Sequence, residues 1–335
     1  MKKFLFGIFA IVLLCSHDMF LKMDHYFLEP NTQAVIQLFN GTFGKSENVI
    51  DRNRMLDVSL VGNGQRIQVD STQWTEKDSI TFLNFRTGNP GTWVAGVSTA
   101  AKNIALDAKS FNDYLEHDGV VDMLEWRKEN NALDQDAVER YSKHVKTIFQ
   151  VGEELSEDWS TALGYPIEFI PQENPYDIHP GHSLKVQLLY KGAPLANQLV
   201  IIGTEKSGEN TTIEHSHDGG EPHTHKSGET PDHDHNSGLQ LRTDEAGMLD
   251  FQITNEGVWH MRTIYMVQSK EDGLTHESNW ATLTFAVGSG HSAAHSNDHE
   301  DDHHAHGEEG FPSYIFLLGS LVIVAGLFLY FKKKK

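Results

Sequence analysis

Histidine is the residue type with the clearest chemistry in this 335-residue chain, because twelve of its 20 histidines lie in two short tracts. The first tract, residues 215–235, holds three His-x-His pairs among aspartates and glutamates: His215 and His217, His223 and His225, His233 and His235. In an extended segment, residues i and i+2 lie on the same side, so each pair can offer two imidazoles to one ion. This ligand set suits Ni, Co, Zn or Cu(II) without selecting among them. The alternative is a solvated polar linker that acquired histidines by low-complexity drift.

The second tract, residues 291–306, supplies six more histidines beside several carboxylates: His291, His295, His299, His303, His304 and His306. Residues 299–303 match the H-E-x-x-H pattern of zinc proteases. A zinc protease needs an apolar-backed helix and a third ligand, whereas this segment is acidic and of low complexity, so we reject a catalytic zinc site. We expect either weak capture of metal or a plain spacer.

Dispersed histidines add one further candidate. His17 would offer both an α-amino group and an imidazole if a signal peptide were removed after Ser16, with His25 downstream; otherwise it is an ordinary surface residue. His179 and His182 are expected to belong to a turn. His260 alternates with apolar residues and is expected to be a structural histidine of a strand.

The two ends of the chain predict its location. Residues 1–16 have the charged start, apolar run and small final residue of a signal peptide, with lipidation at Cys15 as the alternative. Residues 311–331 carry no charge and, at ~1.5 Å per residue, are long enough for a transmembrane helix. The lysine tail, residues 332–335, marks the cytoplasmic side. We therefore expect a single-pass membrane protein with residues 17–310 facing outward. The final lysines fit a bacterial stop-transfer anchor and a eukaryotic dilysine retrieval signal equally well.

Net charge and cysteine content limit the classes of partner and the kinds of metal site that we expect. The formal net charge is −20 at pH 7, and six of the 27 basic residues are lysines of the two ends, so the outward part is more acidic still. Nucleic acid is therefore not an expected partner, whereas cations are concentrated near such a surface. Cys15 is the sole cysteine and lies in the predicted signal, so disulfides and thiolate metal sites are excluded from the mature chain.

Patterning predicts a mainly β protein of two antiparallel, immunoglobulin-like β-sandwich domains. The first domain, residues 17–163, has strands near 34–39, 56–61, 80–85 and 92–97, separated by glycine-rich turns. Apolar residues at helical intervals then predict two or three appended helices within about 108–149. The apolar residues in this pattern are Phe111, Leu115, Val121, Leu124, Val138, Tyr141, Val145 and Ile148.

The second domain, residues 164–288, has strands near 167–170, 184–190, 199–203, 239–242, 248–253, 258–267 and 282–287. A polar insertion at 204–238 interrupts it and contains the first tract; such a composition cannot bury enough apolar surface to offset its ordering entropy. Residues 289–310 form a stalk of similar composition.

Several of these segments resemble a known family. The segments that carry the resemblance are Phe111–Leu115, Glu139–Lys146, Leu163–Glu168, and Asn174–Tyr176 with Gly181. The family is a group of bacterial periplasmic proteins associated with nickel and cobalt uptake. It is catalogued as a domain of unknown function or as a nickel-uptake substrate-specific transmembrane region. The resemblance implies a bacterial inner (cytoplasmic) membrane as the location and a metal permease as partner, and it brings no catalytic residues. Residues 192–195 and 243–247 are similar to immunoglobulin-like or transthyretin-like modules.

These observations favour a membrane-anchored, extracytoplasmic accessory that binds a divalent transition metal for an uptake system. Two alternatives stay open: an adhesion or structural module with incidental histidines, and a metal-dependent periplasmic hydrolase. The sequence lacks G-x-S-x-G, a P-loop and a cysteine nucleophile, so we expect no enzyme.

Overall fold

The computed structural model describes residues 17–206 and 238–288, which are mainly β. The expected signal peptide, stalk, transmembrane span and lysine tail lie outside these ranges, as does most of the insertion. Among the described residues, no helix is both long and apolar enough to cross a membrane.

The described strands are β1 (Asp18–Lys22), β2 (Phe27–Leu28), β3 (Gln33–Gly41), β4 (Met55–Gly62), β5 (Gln65–Gln68), β6 (Trp74–Lys77), β7 (Ile80–Arg86), β8 (Gly91–Thr99), β9 (Lys102–Leu106), β10 (Ala137–Val151), β11 (Ile167–Pro171), β12 (Ser183–Tyr190), β13 (Ala193–Pro194), β14 (Leu199–Lys206), β15 (Leu239–Arg242), β16 (Met248–Gln252), β17 (Gly257–Gln268) and β18 (His276–Val287). The α-helices are α1 (Ala108–His117) and α2 (Val121–Glu129), and short 3-10 turns occur at Arg52–Arg54, Ser71–Gln73, Glu157–Ser160 and Pro175–Asp177. Each strand predicted from the sequence overlaps one of these strands.

Three sheets organise the described residues. The N-terminal sheet has the order β1-β3-β7-β6, and the C-terminal sheet contains β11, β12, β13 and β16. Between them, the central sheet has the order β15-β14-β17-β18-β10-β8-β4-β5, with β2 and β9 also paired to β10. One apolar core joins the central sheet to the C-terminal sheet and a second joins it to the N-terminal sheet, so both faces of the central sheet are buried.

The central sheet contains strands from both predicted domains. Its β4, β5, β8 and β10 precede residue 164, whereas its β14, β15, β17 and β18 follow it. The two groups are joined by β10 and β18, which pair in parallel from Glu139↔His276 to Thr147↔Thr284. The central sheet is therefore mixed, which corrects the expectation of purely antiparallel sheets, and both predicted domains contribute strands to it.

The prediction of helix across the whole of 108–149 is wrong at its C-terminal end. Helices α1 and α2 occupy the first part, where Phe111 and Leu115 pack against Ile264 and Trp280 of the central sheet. The second part is β10, in which every residue from Ser142 to Val151 is buried. A strand buried on both faces shows no period-2 alternation, so apolar residues three and four apart imitated a helix.

Local turn chemistry behaves as the sequence indicates. In the hairpin of β4 and β5, Gly62 pairs with Gln65 across a two-residue loop. Its residues Asn63 and Gly64 have φ of 52° and 72°. Positive φ at both loop positions is the requirement of a type I′ turn, which Asn-Gly meets at little cost.

The insertion begins and ends within one hairpin. Strands β14 and β15 pair from Leu199↔Arg242 to Ile202↔Leu239. Strand β14 continues to Lys206, so residues 204–206, predicted to start the insertion, belong to the strand instead.

Candidate functional site

The twelve tract histidines predicted to bind metal lie outside the described residues. They are His215, His217, His223, His225, His233, His235, His291, His295, His299, His303, His304 and His306. Of the predicted metal ligands, His17 alone is described, and the site is built from it.

His17 lies immediately before β1 and faces a carboxylate. Its Nε2 is 3.2 Å from Oε2 of Glu47, and the two side chains are 20% and 41% exposed. The pair lies at the protein surface and combines an imidazole nitrogen with a carboxylate oxygen. Such mixed N/O donors are compatible with a borderline divalent cation. His25 lies beyond the other end of β1, so the structure does not bring it to His17.

A buried ammonium group holds this start of the fold in place. Lys143 of β10 donates hydrogen bonds from Nζ to the carbonyl oxygen of His17 and to Oδ1 of Asn40, the latter at 3.0 Å. Asp18, only 4% exposed, forms an ion pair with Arg262 of β17, with 3.4 Å between Oδ2 and Nε. These contacts fix His17 to the central sheet.

Glu139, also on β10, completes this buried charged cluster. Its Oε1 accepts hydrogen bonds from the hydroxyls of Tyr114, at 3.1 Å, and Ser278. Burial raises the pKa of Glu139 to about 7, against the opposing effects of these hydrogen bonds and of Lys143. Burial likewise lowers the pKa of Lys143 to about 8, and the nearby Asp18 works against that shift. The groups are enclosed and paired, which suits anchoring rather than contact with a substrate.

This buried charged cluster is not among the sites that the sequence predicts. Glu139 and Lys143 lie in a segment that resembles the nickel-uptake family and that the apolar spacing predicts as helix, and no motif marks Asp18 or Arg262. The available signal was the occurrence of several charged residues in one β-branched, apolar run, which in a strand buried on both faces requires internal partners.

Three further histidines have lowered pKa values that keep their imidazoles neutral. Burial lowers the pKa of His144 and of His276 to about 4, and that of His260 to about 3. Ser98 and Ser142 are each 2.9 Å from a ring nitrogen of His144. His260 stacks on Phe43 with ring centroids 3.8 Å apart, and within the described ranges its Nδ1 has no hydrogen-bond partner. His144 and His276 are 2% and 4% exposed, so a metal ion in solvent does not reach them.

The remaining dispersed histidines are His25, His117, His179 and His182. His25 is exposed, and His117 lies in the last turn of α1. His179 and His182 flank the expected turn, and both are exposed, with their ring centroids 5.8 Å apart. Over residues 17–206 and 238–288, no group of three or more His, Cys, Asp or Glu is arranged to hold a metal ion.

The family-like segments meet at a second buried ion pair. Lys146 of β10 and Glu168 of β11 are 1% and 4% exposed, with 3.3 Å between Nζ and Oε2. Glu168 also accepts hydrogen bonds from the backbone N–H groups of Leu163 and Gly164, at 2.8 and 3.0 Å. Lys146 lies in the region predicted as helical; in the structure it is on a strand and joins the central sheet to the C-terminal sheet.

The family of the chain follows from comparison with family models. The model of a domain of unknown function, DUF4198, matches residues 14–267, which is most of the chain. The chain belongs to the DUF4198 family. The matched region contains β1 to β16 and most of β17, including both buried ion-pair clusters. No curated protein matches the sequence.

Solved structures show only distant likenesses. Trypsin-activated α2-macroglobulin from Escherichia coli is 10% identical, with a TM-score of 0.21 over 81% of this chain and 16% of that one. The D0-D1 domain of intimin is 13% identical, with a TM-score of 0.18 over 80% and 97%. A DUF4785 family protein from Legionella pneumophila is 11% identical, with a TM-score of 0.21 over 72% and 51%. The chain thus spans less than a fifth of the α2-macroglobulin and about half of the DUF4785 protein, and these likenesses carry no functional argument.

Proposed function

We propose that this DUF4198 protein is a membrane-anchored, extracytoplasmic accessory that binds divalent transition-metal ions for a nickel- or cobalt-type uptake permease. It acts by binding rather than by catalysis. The observation that carries the proposal is the concentration of twelve of 20 histidines in two tracts of an acidic chain. The predicted signal peptide and the uncharged span at 311–331 support a location of both tracts outside the cytoplasm.

The described residues support a division of roles between scaffold and metal-binding tract. In this proposal the three sheets form a scaffold, and the hairpin of β14 and β15 presents the first tract. Four charged groups of the scaffold support this division, because they are buried and contact other groups of the scaffold. They are Lys143, Glu139, Lys146 and Glu168. His17 with Glu47 contributes one imidazole and one carboxylate, and adds an α-amino group when the chain begins at His17.

Calorimetric titration of the full chain with Ni(II), Co(II), Zn(II) and Cu(II) tests the proposal. Imidazole binds metal only when neutral, so binding should be present at about pH 7.5 and fade by about pH 5.5, across the ~6.5 pKa of an unperturbed histidine. Alanine at His215, His217, His223, His225, His233 and His235 should remove most of the binding.

The matched control changes the same number of histidines in the second tract: His291, His295, His299, His303, His304 and His306. This variant should keep most of the binding, because its histidines are not arranged as three His-x-His pairs. If the first six-fold variant binds metal as well as the parent, the first tract is a linker and the proposal fails.

A further inference from the structure

The segment His179-Pro180-Gly181-His182 forms a tight turn with a histidine at each end. Gly181 has a φ of 98°, and the N–H of His182 donates a 3.1 Å hydrogen bond to the carbonyl of His179. Proline followed by a residue of positive φ is the sequence signature of a type II turn. The first and last Cα atoms of such a turn lie within about 7 Å, so the turn brings the two histidines together.

Backbone contacts fix this turn to the rest of the fold. The N–H of Gly181 donates to the carbonyl of Ile253 at 2.7 Å, and the N–H of Ile253 donates to the carbonyl of His182 at 2.8 Å. On either side of the turn, Ile178 is 5% exposed and Leu184 is fully buried. The separation of the two histidines is therefore a property of the folded scaffold.

The two rings have the spacing of metal ligands. Their centroids are 5.8 Å apart and their planes differ by 55°. Two imidazoles on one ion have centroids roughly 4.5 to 6.5 Å apart, since each nitrogen lies about 2.0 to 2.1 Å from the metal. Both side chains are exposed, and over residues 17–206 and 238–288 neither imidazole makes a hydrogen bond or an ion pair.

We propose that His179 and His182 form a two-imidazole site for a borderline divalent cation such as Ni(II), with water completing its coordination. The net charge of −20 favours cations near this surface. This site goes beyond the proposed function, because it lies on the described scaffold and uses none of the tract histidines. Such a site exists only when the turn is folded, so bound metal stabilises the folded state over the unfolded chain.

Thermal unfolding of the full chain with increasing NiCl₂ tests the site. The background is a variant in which His17 and all twelve tract histidines are alanine, so that binding by the ligands of the proposed function is absent from the measurement. The unfolding midpoint should rise with Ni(II) concentration in this background. Adding His179→Ala or His182→Ala should abolish that rise, because one imidazole alone cannot chelate. The matched control, His25→Ala, removes one exposed histidine elsewhere and should keep the full rise.

Because both histidines are exposed, all three added substitutions should leave the midpoint without metal unchanged, which shows that the variants fold. A Ni(II)-dependent rise that survives the double variant His179→Ala, His182→Ala overturns the proposed site. So does the absence of any rise in the background variant that keeps His179 and His182. Neither result bears on the tracts, whose binding is read from calorimetric stoichiometry of the parent and the six-fold variants.

Discussion

Removing one partner of the Lys146–Glu168 pair should destabilise the protein strongly. Both side chains are buried, with 3.3 Å between Nζ and Oε2. Burial lowers the pKa of Lys146, and the charge of Glu168 opposes that shift. Glu168→Gln keeps the size of the side chain but leaves a buried ammonium without its counter-charge. Breaking a buried ion pair in this way costs about 3–5 kcal/mol.

Lys146→Met should cost a similar amount, since it leaves the carboxylate of Glu168 buried with only backbone N–H donors. The double variant should lose less than the sum of the two single losses, because no unpaired charge remains. Urea unfolding followed by circular dichroism gives each free energy of unfolding from the midpoint and slope.

The matched control is Glu271→Gln. Glu271 forms a bidentate ion pair with Arg140, on the same strand as Lys146, at 2.6 and 2.7 Å. The side chain of Glu271 is 56% exposed, so water replaces the lost contact and the stability should barely change. If Glu168→Gln costs no more than Glu271→Gln, burial does not control the strength of these pairs and the reasoning is wrong.

Three further predictions concern histidine titration, glycine packing and the insertion. Burial lowers the pKa of His144 to about 4, so between about pH 6.5 and about pH 4 the unfolded chain binds a proton that the folded chain does not, and the free energy of unfolding falls as the pH drops. Urea unfolding across this pH range should show a weaker pH dependence for His144→Gln. The control His25→Gln should leave the pH dependence unchanged. A Cβ at Gly62 would overlap the indole ring of Trp93, so Gly62→Ala should lower the free energy of unfolding in urea by about 1–3 kcal/mol. The control is Gly44→Ala, where the added Cβ meets open space. An effect at Gly62 no larger than that at Gly44 would contradict the prediction. Replacing residues 207–237 by a short Gly-Ser turn should leave the thermal midpoint nearly unchanged, because β14 and β15 pair directly; loss of cooperative unfolding would show that the segment belongs to the fold.

The elements whose information is local were predictable from the sequence. Period-2 alternation located strands such as β3 and β7, and the Asn63-Gly64 pair marked a hairpin loop because only a few residue types accept positive φ. The Pro180-Gly181 step marked a turn for the same reason. These features depend on neighbours in the chain, so composition and spacing are enough to find them.

The identity of β10 and the buried charged clusters were decided by the tertiary structure. Strand β10 looks helical in isolation and becomes a strand because β8, β9 and β18 pair along its edges while sheets cover its two faces. Asp18 meets Arg262 across 244 positions, and His179 faces His182 on a turn that Ile253 fixes. The sequence by itself determined the β-rich composition, the turns and the histidine tracts. Burial, and with it the pairing and pKa of each charged group, depends on contacts distant in sequence, and only the folded chain supplies them.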